Sequence, residues 1–315
     1  SVDKYPERGY PEAFRGTIIE TLGKDQVSLM LPFGSLIVSR LADSLGVLHS
    51  RPHFFVMPDD KRLDEYRKEF AGMLGSLEVR PDEMPGDEPG FAGSEKIIGS
   101  EKFSARLDKD AGNQVDAKAY LTARLLDIFV GDWDRHADQW RWASYKDSTV
   151  TWWKPIARDR DFSFVVYDGV IPYLLDREWA NLDIDGYNRK EPDIVSLTNK
   201  ARYLDGRLLA GMDWPTWRQI TDDFLEKLDD KLIINAVKTL PEEVYNIVGD
   251  ELLQRMKRRR SQMQEISRAF YEYLFRTVNI QTTNDKDIVQ IEKHETGDIS
   301  IRMPKSACTS LETMI

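Results

Sequence analysis

The stretch from Asp116 to Phe164 constrains the fold more than any other. Tyr120, Leu121, Leu125, Ile128 and Phe129 recur at helical spacing behind Asp116, whose side chain can cap a helix. That helix runs straight into Gly131-Asp132-Trp133-Asp134-Arg135-His136-Ala137-Asp138-Gln139. Trp140 and Trp142 then alternate with Arg141 as in a half-buried strand, Lys146-Asp147-Ser148 supplies a turn, and Val150–Ile156 reads as the returning strand. Arg158-Asp159-Arg160-Asp161-Phe162-Ser163-Phe164 closes the hairpin. A hairpin brings the chain back to its starting end, so the two polar blocks are expected to lie side by side. Five of the eight tryptophans fall between Trp133 and Trp153, which marks a heavily packed core or a site wall.

Composition bounds the rest. At roughly 150 residues per domain, 315 residues predict two domains or one large domain with lobes. With 41% apolar and 31% charged residues, the chain is that of a globular protein and too apolar for disorder. No apolar run reaches the ~18 residues that a membrane-spanning helix needs. A net charge of −10 argues against a phosphate-tracking surface, so no nucleic-acid partner is expected. Cys308, the only cysteine, excludes an internal disulfide and a cysteine-based zinc site. The chain opens on Ser1-Val2-Asp3-Lys4, without an initiator Met or a signal-like stretch, and reads as a piece of something longer or a processed product.

No internal repeat or low-complexity tract is visible. Phe14, Ile18, Ile19 and Leu22 predict a helix within 11–30. Leu36-Ile37-Val38 is a short strand candidate, followed by a short helix that stops at Gly46. His53–Met57 reads as a buried strand ended by Pro58, 61–70 as a charged amphipathic stretch, and Met73–Val79 as a second strand. Residues 81–94 hold three Pro, three Gly and four acids, the clearest boundary in the chain. Beyond the hairpin, 214–275 is helical, with openings at Trp214-Pro215, Asp229-Asp230 and Pro241, and Gly249-Asp250 breaks and recaps the last helix. Val278, Ile280, Ile288, Val289, Ile291, Ile299 and Ile301 predict two or three strands over 275–303; the last dozen residues show no pattern. Lys257-Arg258-Arg259-Arg260 cannot form one stripe on a helix and reads as a solvated face. His49, His53 and His294 lack ligand spacing and read as structural or surface residues.

The two polar blocks are where chemistry is expected. Together they would bring up to five carboxylates, one His and one Gln to a single mouth. Such a set repels itself unless a cation offsets it, and Mg²⁺, which takes hard oxygen ligands and phosphate oxygens, is the natural guest. The spacing suits phosphoryl transfer. Asp134 would orient the attacking hydroxyl; Gln139, five residues on, would be the metal amide; Asp159 or Asp161 would be the metal carboxylate; Arg135 and His136 would brace the loop. Against this stands a bland alternative, a solvated loop of caps and surface ion pairs worth ~0–1 kcal/mol each.

Asp134-Arg135-His136 with an amide at Gln139, then a strand, then the Asp- and Phe-containing block at 159–164, resembles the catalytic and metal loops of atypical protein-kinase-like enzymes: HipA-type kinases, secretory-pathway casein kinases and CotH-type spore-coat kinases. The second block is closest to the CotH pattern. More narrowly, residues 1–303 resemble a kinase-like segment of large outer-membrane proteins, lying between a calcineurin-like metallophosphoesterase and a BamA-like surface-antigen barrel. The resemblance implies ATP with Mg²⁺, an unidentified phosphoacceptor, flanking domains as partners, and a cell-envelope location, with the cytoplasm still open. It implies an N-lobe lysine on the phosphates, for which Lys4 is the candidate with Glu12 or Glu20 as its acid. It also implies a hinge that bonds adenine, at Leu77-Glu78-Val79-Arg80. Three departures stand out: Gln139 replaces the usual Asn, no Gly-rich phosphate loop is visible, and no Gly follows Phe162.

The expected architecture is α+β, a two-lobed atypical kinase-like fold. A truncated, β-containing N-lobe would span 1–80, a hinge or loop 81–94, a mostly helical C-lobe 95–274, a small β element 275–303 and a tail 304–315. The expected activity is Mg-ATP-dependent phosphotransfer. The alternatives are a non-catalytic nucleotide- or cation-binding scaffold (a pseudokinase) and a metal-dependent phosphohydrolase.

Overall fold

The structure, a computed structural model, describes residues 30–82, 90–166, 186–276, 288–294, 299–304 and 310–314. Lys4, Glu12, Glu20, Val278 and Ile280 lie outside the described residues, as does all but the end of the helix expected over 11–30. The described chain mixes helices with antiparallel and parallel strands and is α+β, as the sequence predicts.

Helix α1 (Gly34–Leu45) buries Ile37, Val38, Leu41, Ala42 and Leu45 on one face and ends on Gly46. Leu36-Ile37-Val38 therefore belongs to a helix and not to a strand. The spacing of the buried positions across the whole segment outweighs the local β preference of Ile and Val. Strand β1 (Leu48–His49) follows. Among the described residues, strands β2 (His53–Val56) and β3 (Leu74–Leu77) pair only with each other, joined by a 3-10 turn (Lys61–Tyr66) and the short helix α2 (Arg67–Phe70). Contrary to expectation, β2 is mostly exposed: only Phe54 is half-buried, with its ring 4.7 Å from that of Phe33.

After a 3-10 turn at Phe91–Gly93 come three elements that sequence periodicity did not resolve: β4 (Lys96–Gly99), α3 (Ser100–Lys109) and β5 (Asn113–Val115). Helix α4 (Ala117–Val130) is capped by Asp116, whose carboxylate accepts from the Ala119 N–H at 2.9 Å. The hairpin β6 (Trp140–Asp147) and β7 (Val150–Ala157) is present at the expected place. β4 adds antiparallel to β6, while β1 and β5 lie parallel to β7, at Ile156–Ala157 and Thr151–Trp153 respectively.

Helices α5 (Ile194–Thr198), α6 (Arg202–Leu209), α7 (Trp214–Lys227), α8 (Asp230–Val237) and α9 (Glu242–Leu274) complete the helical part. Asp213 and Asp229 cap α7 and α8. The break expected at Gly249-Asp250 does not occur, and α9 runs unbroken for 33 residues. Gly249 serves packing instead: a Cβ there would stand 2.7 Å from Tyr245 Cδ2. One continuous core joins α1, α4, the tryptophan face of the hairpin and α7–α9, with Leu41, Leu125, Trp140, Trp217 and Phe270 fully buried. The segment read as an N-lobe thus contributes α1 to this same core.

The basic run on α9 divides. Arg259 is buried, donates to the Ile128 carbonyl at 3.1 Å and stacks over Tyr187; Arg260 donates to the Leu225 and Leu228 carbonyls. These two bases bond carbonyls at the C-terminal ends of α4 and α7 and are not a solvated face. Strands β8 (Gln290–Lys293), β9 (Ile299–Pro304) and β10 (Ser310–Met314) form a separate antiparallel sheet. β10 arises from the segment that showed no pattern.

Candidate active site

The site begins where α4 stops. Gly131 takes a left-handed φ of 73° and turns the chain out of the helix, with the Asp132 N–H returning to the Asp127 carbonyl at 2.9 Å. The 3-10 turn at Ala137–Gln139 is held from outside, since Ser100 Oγ, at the start of α3, donates to the Ala137 carbonyl at 2.6 Å and itself accepts from Trp142 Nε1. At the far end of the hairpin, the Arg158 N–H donates to the Gln139 carbonyl at 2.9 Å, and the Phe164 N–H to the Val130 carbonyl at 2.9 Å. The two polar blocks therefore do lie side by side.

Arg135 is what joins them. Its Nη1 donates to the carbonyls of Arg158 (2.6 Å) and Asp159 (3.0 Å), its Nη2 approaches the Gln139 carbonyl at 3.3 Å, and its guanidinium lies over the Trp140 ring. Asp159 sits at φ 48°, a left-handed conformation that Asp tolerates better than most residues, and Arg135 holds its carbonyl there. Gln139 Nε2 lies 3.2 Å from Asp159 Oδ2 and 3.3 Å from His136 Nε2. Asp134 is mostly buried; Lys200 Nζ, from the 3-10 turn Asn199–Ala201, reaches its Oδ1 at 2.6 Å and lies 4.3 Å from the centre of the Trp133 ring.

Beneath the loop is a buried charge network. Asp127 meets Arg124 (3.1 Å), Arg135 (3.3 Å) and Arg160 (3.2 Å). Asp205 meets Arg124 at 2.9 Å and accepts from Tyr120 Oη at 2.8 Å, while Asp132 lies 3.6 Å from Arg135. Burial drives the Asp132 carboxyl up to about 7, aided by Asp127 and Asp134 and opposed by Arg135 and Arg160. Burial also raises Asp205 and lowers Arg160. Sequence reading overlooked Arg124, Asp127, Asp205 and Lys200. Arg124 and Asp127 carried a signal, two charges inside an otherwise apolar helix; Lys200 carried none.

The single mouth of five carboxylates is corrected. Asp132 turns inward to Arg135, Asp134 pairs with Lys200, Asp138 and Asp161 are exposed, and Asp159 meets Gln139. Among the described residues, no three His, Cys, Asp or Glu side chains gather into a metal site. Like charges in the loop find separate partners more cheaply than they share one mouth.

Glu78 and Val79, the hinge candidates, stand at the exit of β3. Ser50 Oγ, just beyond β1, donates to the Val79 carbonyl at 2.7 Å and so ties that exit to the edge of the main sheet. Glu78 is exposed to solvent, yet its carboxyl is raised, first by lost hydration and then by the Asp161 and Asp159 carboxylates. Three arginines share this side: burial, Arg158 and Arg80 all lower Arg141. Arg141 lies opposite Ile156, so Arg158 is its diagonal neighbour across the hairpin.

These features define an α+β protein whose helix–hairpin unit clamps two polar blocks at one sheet end. No protein-family model matches the chain, and no curated protein matches it. A solved structure from Shewanella oneidensis MR-1, the toxin–antitoxin complex of HipA, HipB and operator DNA, matches with a TM-score of 0.38 and 12% identity. The match covers 77% of this chain and 56% of that one, so this chain spans little more than half the length of its neighbour. The α+β assignment rests on the chain's own helices and strands.

Proposed function

We propose that this chain is a Mg-ATP-dependent, kinase-like phosphotransfer module of a larger cell-envelope protein. The observation that carries the reading is the Arg135 clamp, which sets Gln139 against Asp159 with Asp134 one residue away from the clamp. In the reaction, an acceptor hydroxyl attacks the terminal phosphorus while Asp134 orients it and takes its proton. A phosphorus–oxygen bond forms to the acceptor, the bond to the leaving ADP oxygen breaks, and ADP departs with that electron pair. One carboxylate and one amide oxygen fit Mg²⁺, which commonly keeps few protein ligands and completes its shell with water and phosphate oxygens. Asp159 and Gln139 would hold the ion, with Asp161 assisting, and it would neutralise charge on the phosphates. Arg135 and His136 keep the loop in register. The phosphoacceptor is unassigned, and the flanking-domain context rests on the motif resemblance.

One observation favours a scaffold instead: the Asp134 carboxylate is already engaged by Lys200. Calorimetric titration of Mg-ATP into the wild type, D159A and D134N separates the readings. Phosphotransfer predicts binding that D159A weakens at least about tenfold and turnover that D134N abolishes while binding persists. A wild type that binds no Mg-ATP overturns phosphotransfer and a nucleotide-binding scaffold alike; binding with turnover absent, and D134N indistinguishable from wild type, favours the scaffold.

A further inference from the structure

Lys200 lies 66 residues from Asp134 in sequence, in the short turn between α5 and α6, and nothing in the two polar blocks announces it. Its ammonium contacts Asp134 Oδ1 at 2.6 Å and sits over the Trp133 ring, while its side chain keeps 35% of its exposure. Trp133 is itself fixed, with its ring packed on Phe162 of the second block. Lys200 therefore touches the first block directly and rests on an indole wall shared with the second.

An ammonium carries three donors on a flexible stem, and one carboxylate oxygen occupies only part of that capacity. Lys200 engages Asp134 Oδ1, and Asp134 Oδ2 accepts no hydrogen bond from the described residues, which leaves that oxygen for an acceptor hydroxyl. A phosphoryl group joined to that hydroxyl would bring its negative oxygens close to the Asp134 carboxylate. Two like charges at that spacing need a cation between them, and Lys200 is the cation found there.

We propose that Lys200 is a phosphoryl-binding residue: it neutralises Asp134 and donates to the terminal phosphoryl group of the bound nucleotide. This rests on the phosphotransfer reading above. The contact is specific to the terminal phosphate, so it predicts a preference for the triphosphate over the diphosphate.

The test is calorimetry of Mg-ATP and Mg-ADP with the wild type, K200M, K200R and D134N. The wild type should favour Mg-ATP by about tenfold, the scale of one charge-assisted hydrogen bond. K200M should bring the ratio close to one with Mg-ADP affinity unchanged, K200R should keep most of the preference, and D134N should keep or increase it, since the lysine is then free for the phosphate. Intact Mg-ADP binding in K200M also shows that the variant is folded. A ratio that survives K200M, or a wild type that binds both nucleotides equally, overturns the role of Lys200 and leaves nucleotide binding standing. A wild type that binds neither nucleotide overturns the phosphotransfer reading, and this inference with it.

Discussion

Asp132 and Asp134 are two residues apart and face opposite environments. Asp134 lies beside a lysine that retains part of its exposure, whereas Asp132 is buried against Arg135 and shares that arginine with Asp127. Asp132 loses its proton near pH 4 in an unfolded chain and at about 7 in the folded protein. Between those values the folded state keeps a proton that the unfolded state has released. Stability therefore falls as pH rises through this window and is fullest below it. Asp205, raised by burial, acts in the same direction; His49, lowered by burial, acts in the opposite one. Comparing wild type with D132N cancels both. Asn mimics the protonated acid at every pH, so the wild type should lose ground to D132N by about 1 kcal/mol per pH unit at most between about pH 5 and about pH 7. Denaturant unfolding at a series of pH values checks this, and parallel profiles for the two proteins would sink it.

At the scale of elements, α4 and the hairpin β6–β7 were legible because each obeys a single period and ends on recognisable chemistry: Asp116 at the start of the helix, Gly131 at its end, tryptophans alternating into the core. The pairing of the two polar blocks followed from the hairpin alone. What was not legible depends on partners remote in sequence. The strand mistaken at Leu36–Val38 and the helix break mistaken at Gly249 are local preferences overruled by burial against other elements. Lys200 acquires meaning only when the turn before α6 comes to rest beside Trp133. Gly131 shows how an end signal can also be a packing constraint. Gly46 and Gly131 both take a left-handed φ, 72° and 73°, but a Cβ on Gly46 meets nothing within 4 Å, while one on Gly131 would stand 2.8 Å from Tyr187 Cδ2. Both alanine variants incur a left-handed backbone cost of roughly 1–2 kcal/mol. Only G131A must also displace a buried ring, so its loss in urea unfolding should be the larger by about 1 kcal/mol or more. Equal losses would mean that Tyr187 moves aside freely and does not fix the start of the loop.

Across the whole molecule, stability is expected to be uneven, because one core carries most of the burial. Helices α1, α4 and α7–α9 and the hairpin bury their apolar faces in it together. Among the described residues, the β2–β3 sheet pairs with no other strand and is largely exposed, and β8 is exposed along its whole length. Exposed backbone hydrogen bonds with few apolar contacts open locally, at a cost well below that of global unfolding. Amide hydrogen exchange should therefore give its slowest class in α4 and β6–β7 and a clearly faster class in β2–β3 and β8. Nucleotide should alter this pattern at one place. The exit of β3, around Glu78 and Val79, is anchored to the main sheet through Ser50, and Glu78 lies within electrostatic reach of the Asp159 and Asp161 carboxylates. A ligand seated between that exit and the second polar block would tie the weak sheet to the strong one. Mg-ATP should then slow exchange at residues 77–80 and 158–162 while leaving β8 unchanged. Protection confined to 158–162 would place the nucleotide away from the β3 exit and remove Glu78 and Val79 from the site; protection spread evenly over every element would mean global stabilisation without this local bridge.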